Sequence, residues 1–173
     1  MVTQIPSPIQ EAVIYPDSDG LPIANNTDQF RWILVIEQNL EWMYADDENV
    51  FVAGDLFWYP IEGRSNIVNA PDVMVAFGIP KGRRSSYQQW NESGIAPQVV
   101  FEILSPSNTQ DEMEKKLLFY DRHGVEEYYS TFQVSEVHNR GRDTAVPCPY
   151  GNRRAIGVYF INVESAVYLQ SYQ

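Results

Sequence analysis

The chain has a single cysteine, Cys148, and only two histidines, His123 and His138, in 173 residues. One thiol excludes an intrachain disulfide framework and a cysteine-rich zinc site. Two histidines poorly supply either an imidazole metal centre or Ser-His-Asp catalysis. Basic side chains are also few, 12 against 23 acidic ones, for a formal net charge of -11. A protein that grips a polyanion ordinarily shows a basic footprint, so this balance slows encounter with nucleic acid. No run of 18 apolar residues is present and no membrane span is expected. The N-terminus lacks the basic and apolar regions of a secretory signal, so the expected compartment is cytoplasmic. What remains is 44% hydrophobic and 13% aromatic, ample for one core at this length. With thiols and imidazoles scarce, oxygen donors favour magnesium, or manganese, over zinc.

Chemistry concentrates between Pro71 and Tyr129. Asp72 opens an apolar strand, Asp72-Val73-Met74-Val75-Ala76-Phe77, and Glu102 interrupts a second, Val99-Val100-Phe101-Glu102-Ile103-Leu104. Large apolar neighbours on both sides of Glu102 predict a strand in mid-sheet with both faces covered. A carboxylate there is costly unless something pairs with it. The structural alternatives are a glutamate turned to solvent at a sheet edge and, for Asp72, ordinary Pro-Asp turn chemistry.

After the turn Ser105-Pro106-Ser107-Asn108, Thr109 with Glu112 has capping-box spacing and predicts a helix from about Gln110. Met113, Leu117 and Tyr120 make its apolar stripe, widened by Leu118. Lys116 lies beside that stripe and Lys115 points further away, so Lys116 is the better candidate to lean over the strand end at Glu102. A solvated surface charge is the plain alternative for either lysine. Two carboxylates on neighbouring strands with a lysine close behind form a minimal kit for divalent-metal phosphodiester hydrolysis.

Four stretches in series carry a resemblance: Pro71-Asp72-Val73, Val99 to Ser107, Glu114-Lys115-Lys116-Leu117-Leu118-Phe119-Tyr120 and Gly124-Val125-Glu126-Glu127-Tyr128-Tyr129. They resemble the Uma-two family of bacterial endonucleases, part of the PD-(D/E)XK superfamily. The likeness reaches upstream through Phe51 to Pro60 and covers roughly residues 5 to 129. It implies an α/β, restriction-endonuclease-like fold, a mixed central β-sheet flanked by α-helices. It also implies a magnesium ion, with manganese as substitute, held by Asp72, Glu102 and the backbone carbonyl of Ile103, with DNA as substrate. The usual pattern puts its lysine two residues after the second acidic residue, where this chain has Leu104. The family supplies one from the next helix instead, which gives the role to Lys116 with Lys115 as substitute. Asp55 is an outside candidate for a further metal contact, a structural turn being the alternative.

Lys81, Arg83 and Arg84 form a basic cluster between the two key strands, with Tyr87 and Trp90 near for stacking; it is a candidate DNA contact or a plain solvated connection. Residues 1–26, rich in Pro, Asp and Gly, read as an irregular leader, and residues 27–129 as the nuclease-like core. Asp28 is expected to cap a first helix with Phe30, Ile33, Leu34, Leu40, Met43 and Tyr44 on its apolar face. Strands are expected at about Val50 to Tyr59, Asp72 to Phe77, Val99 to Leu104 and Glu126 to Thr131. Residues 1–129 carry 20 acidic and 8 basic side chains, a balance of -12, whereas residues 130–173 carry 3 and 4, a balance of +1. The latter is expected to be an atypical segment, diverged or frame-shifted from the family's closing elements, poorly packed and leaving the sheet short of strands. The competing functional class is therefore an inactive nuclease-fold remnant or protein-binding module that meets a partner through exposed Trp58, Tyr87 and Trp90. A homodimer, placing two sites on two strands, follows by analogy with the fold.

Overall fold

A computed structural model describes residues 13–20, 24, 26–105, 107–132 and 157–162. Helix α1, Thr27–Met43, leads into strands β1, Val50–Gly54, and β2, Trp58–Tyr59. Then come β3, Val73–Phe77, the short β4, Tyr87–Gln88, and a single 3-10 turn, Gln89–Asn91. Strand β5, Val99–Ile103, helix α2, Gln110–His123, and strands β6, Glu127–Phe132, and β7, Gly157–Asn162, complete the described elements. The main sheet runs β1-β3-β5-β6-β7. Its first two pairings are antiparallel and its last two parallel, so the sheet is mixed.

Alternation along the strands divides the core into two layers. Val52, Val73, Val75 and Ile103 pack with Ile33, Ile36 and Leu40 of α1 and with Tyr44, which caps it. Phe51, Met74, Ala76 and Val100 pack with Met113, Leu117 and Tyr120 of α2. One helix thus covers each face, and the even-numbered positions of β3 and β5 look toward α2. Asp72 and Glu102 carry that same parity.

Thr109 caps α2 as its spacing predicts: its amide donates to Glu112 at 2.9 Å and its hydroxyl accepts from the Glu112 amide at 3.3 Å. Gly124 ends the helix with φ at +103°, a left-handed conformation that a side chain strains. Helix α1 departs from expectation at its start. Asn26, not Asp28, is the cap, its side chain accepting from the Gln29 amide at 2.8 Å. Asp28 sits in the first turn, where its charge meets the positive end of the helix dipole. The buried stripe is also rotated: Phe30, Leu34 and Met43 are exposed, while Gln29 is buried one turn before Ile33.

The single strand expected from Val50 to Tyr59 is broken at Asp55, whose φ of +48° interrupts the extended run. Trp58–Tyr59 pairs instead with Tyr87–Gln88 in a separate parallel ribbon. Residues 13–20 hold no helix or strand, yet Tyr15 docks: its hydroxyl accepts from the Gly63 amide at 2.5 Å and its ring meets Tyr59 edge-on. Residues 157–162 lie parallel to β6 in full register, a correction to the expected shortage of strands in the sheet. Cys148 and the rest of the C-terminal segment beyond residue 132 lie outside the described residues.

Candidate active site

The β3–β5 register pairs Val73 with Phe101, so one step further sets Asp72 opposite Glu102. Glu102 in turn pairs with Ser130 of β6. On the other side, Gly54 pairs with Val73, and the next position sets Asp55 beside Asp72, with the Asp55 amide donating to the Asp72 carbonyl at 3.2 Å. Directly opposed side chains on one face lie roughly 5 Å apart at their Cβ atoms. Asp72, Glu102 and Ser130 therefore line up across the sheet, with Asp55 just past the end of β1.

Each central carboxylate is anchored. Asp72 Oδ2 accepts from the Ile103 amide at 2.6 Å. Glu102, 2% exposed, accepts from Lys116 Nζ at 2.6 Å on Oε2 and from the Tyr120 hydroxyl on Oε1. Lys116 and Tyr120 stand one turn apart on α2, so the helical stripe that buries Tyr120 also aims the ammonium at the strand. Nearby, the Tyr128 hydroxyl is buried, and Glu102 raises its pKa after burial does.

Burial dominates the electrostatics. It pushes Glu102 up to about 7, opposed by Lys116 and assisted by Asp72. Asp72 is raised by burial too, against hydrogen bonds from Ile103 and Gln29 and the charge of Lys116. Asp55 rises to about 6, through burial first and then Asp72 and Asp19. Burial alone pulls Lys116 down, but Glu102 and Asp72 together outweigh it and hold its ammonium above the ordinary lysine value. Three carboxyls thus face a single ammonium here.

The donor set fits a hard ion. Two carboxylates and the Ile103 carbonyl offer oxygen only, and magnesium typically takes one or two carboxylates and keeps several waters. Among the described residues no group of three or more His, Cys, Asp and Glu is placed to hold a metal ion.

Comparison with known proteins agrees with the resemblance seen in the motifs. The profile of the Uma2 family, described as "Putative restriction endonuclease", matches residues 22–143. The chain belongs to this family. Among solved structures, the chain is similar to "a putative nuclease belonging to DUF820" from Anabaena variabilis, with 15% identity, a TM-score of 0.47, and coverage of 72% of this chain and 73% of that one. No curated protein matches the chain.

Within this Uma2 chain, Asp72, Glu102, Lys116 and the Ile103 backbone come together with Asp55 at their edge, while Lys115 and the basic cluster stand apart. Lys115 is exposed on α2, away from the paired Lys116. Asp55 stands beside Asp72 and interacts electrically with Asp72 and Lys116. The basic cluster is mostly committed elsewhere. Arg84 binds Glu92 through Nε at 2.6 Å, donates to the Pro80 and Gly82 carbonyls, and lies 4.1 Å over the Phe51 ring. Lys81 meets Glu41 at 3.4 Å, which leaves Arg83 as the exposed member. Trp58 and Tyr87 are wholly buried, and Trp90 packs on Tyr15 at 5.0 Å, so the aromatic docking surface of a binding module is absent at Trp58 and Tyr87.

Three residues near the site escaped the sequence reading: Gln29, Tyr120 as a Glu102 partner, and Ser130. Extending the buried stripe Ile33, Ile36, Leu40 back one turn reaches Gln29, so its burial had a signal. Ser130 had none, since a serine in an apolar-aromatic strand has no pattern of its own.

Proposed function

We propose that this Uma2 protein is a magnesium-dependent endonuclease that hydrolyses phosphodiester bonds in DNA, with manganese able to substitute. The observation that carries the reading is the opposition of Asp72 and Glu102 across β3 and β5, with Lys116 on Glu102 at 2.6 Å. Asp72, Glu102 and the Ile103 carbonyl would hold the ion, which when bound supplies a water of lowered pKa and charge to offset the phosphate. Lys116 would orient the attacking water and stabilise negative charge growing on the phosphoryl oxygens. Its ammonium suits that role because two carboxylates keep it charged. Tyr120 and the Ile103 amide keep those carboxylates from turning away.

The rest of the reading is a cytoplasmic enzyme, active as a homodimer that addresses two strands. Size-exclusion chromatography with light scattering tests the dimer. Among the described residues no helix is long and apolar enough to cross a membrane. A plasmid-nicking assay with and without magnesium, run on this chain and on Glu102→Ala, tests reaction and site together. Nicking that needs magnesium and disappears in Glu102→Ala is the expected result; nicking unchanged by Glu102→Ala rejects the site.

A further inference from the structure

The carboxamide of Gln29 joins two parts of the site that otherwise belong to different strands. Gln29 is buried, and its Nε2 donates to the Ile103 carbonyl at 3.2 Å across 74 residues of sequence. It also faces the Asp72 carboxyl, whose charged form it favours. A carboxamide nitrogen carries two hydrogens, so one group can serve both oxygens. Those oxygens are two of the three donors assigned to the ion, and they are bridged a second time by the Ile103 amide on Asp72 Oδ2.

We infer that Gln29 is a positioning residue, which makes the first turn of α1 part of the metal site. The inference rests on the proposed roles of Asp72, Glu102 and the Ile103 carbonyl. Its local basis is a fixed helix start. Asn26 pins the Gln29 amide at 2.8 Å, so the side chain leaves from a set point. One turn later Ile33 seats the helix against the end of β1, where Gly54 leaves room: a Cβ there would lie 3.3 Å from Ile33 Cγ2 and 3.5 Å from the Asp72 carbonyl oxygen. Without that close approach the carboxamide would stand off from Ile103. The Ile103 carbonyl has two lone pairs and uses one for Gln29, so the other stays available. Groups that orient metal ligands in this way typically alter affinity by about 10- to 100-fold when removed.

The test measures manganese binding by the loss of the free-ion EPR signal, together with thermal melting in EDTA. The full chain is compared with Gln29→Met, Asp72→Asn and Leu40→Ala. Gln29→Met fills similar volume and cannot donate; it is expected to weaken manganese binding by about 10-fold. Leu40→Ala loosens the same helix three turns away from Gln29, and is expected to lower melting with unchanged manganese affinity. Gln29→Met that lowers melting but binds manganese as the parent does makes Gln29 merely structural and overturns the inference. If the parent binds no manganese, or Asp72→Asn binds as well as the parent, the functional reading itself fails instead. Should Gln29→Met not fold, Gln29→Asn, one methylene short of the Ile103 carbonyl, provides the same comparison.

Discussion

The Asp72 carboxylate accepts the backbone amide of Ile103 at 2.6 Å, so the strand that carries Glu102 also fixes the orientation of the opposing aspartate. An asparagine oxygen can accept the same bond. Asp72→Asn should therefore fold and keep its β3–β5 pairing while losing the charge that the ion needs. Magnesium-dependent nicking is expected to fall by more than about 100-fold, beyond the range typical of ligand-orienting residues, with melting in EDTA unchanged or raised. Retained nicking would show that Asp72 holds no ion.

Acid-base behaviour gives a second expectation. Glu102 is pushed up to about 7 and Asp55 to about 6, and Asp72 is raised as well. Carboxyls in an unfolded chain titrate near about 4. Each group thus binds its proton more tightly when folded, and its contribution to stability is complete below the unfolded value. That contribution is lost as pH rises through 6 and then 7. Metal-free protein should melt lower at about pH 8 than at about pH 5.5. Magnesium competes with those protons, so its stabilisation should be larger at the higher pH. Equal magnesium shifts at both values would sever the link between these carboxyls and the ion.

Much of this site was legible because strand and helix periodicities are short-range. The capping box at Thr109 and Glu112 fixed where α2 begins, and the spacing from there to Lys116 and Tyr120 gave the face toward Glu102. The misreadings turn on partners and backbone geometry that hydrophobic spacing does not carry. Phe30 and Leu34 look like core, but the helix turns Gln29 and Ile33 inward because Ile103 and Gly54 await them. Arg84 looks like a phosphate contact until Glu92 is seen to take its guanidinium. Asp55 interrupts an apolar stretch by adopting a left-handed backbone, which an aspartate tolerates and no hydrophobic pattern announces.

Tyr120→Phe isolates the hydroxyl on Glu102 Oε1. Phenylalanine keeps the ring stack with Trp58, so any loss reports the hydrogen bond. Leaving a buried carboxylate oxygen without its donor costs about 1–3 kcal/mol, or a fall of about 3–8 °C in melting temperature at this chain length. The bond favours the ionised form, so the penalty should grow from about pH 5.5 to about pH 8. A penalty independent of pH would place Tyr120 in packing alone.

Arg84 offers the sharpest separation between a structural and a DNA-binding cation. Its guanidinium is paired with Glu92 at 2.6 and 3.1 Å, side chains 13% and 16% exposed, and is seated over Phe51. Arg84→Ala would leave Glu92 without its partner and expose part of the core. Breaking a buried pair costs about 3–5 kcal/mol, and this less buried one should cost about 2–3 kcal/mol. Arg83 is exposed, and Arg83→Ala should leave stability within about 0.5 kcal/mol. If the loop meets DNA, Arg83→Ala should also make the slope of log affinity against log salt shallower by about one. Urea denaturation and filter binding at several salt concentrations separate the two. A stable Arg84→Ala protein whose salt slope drops by about one would return Arg84 to the DNA interface.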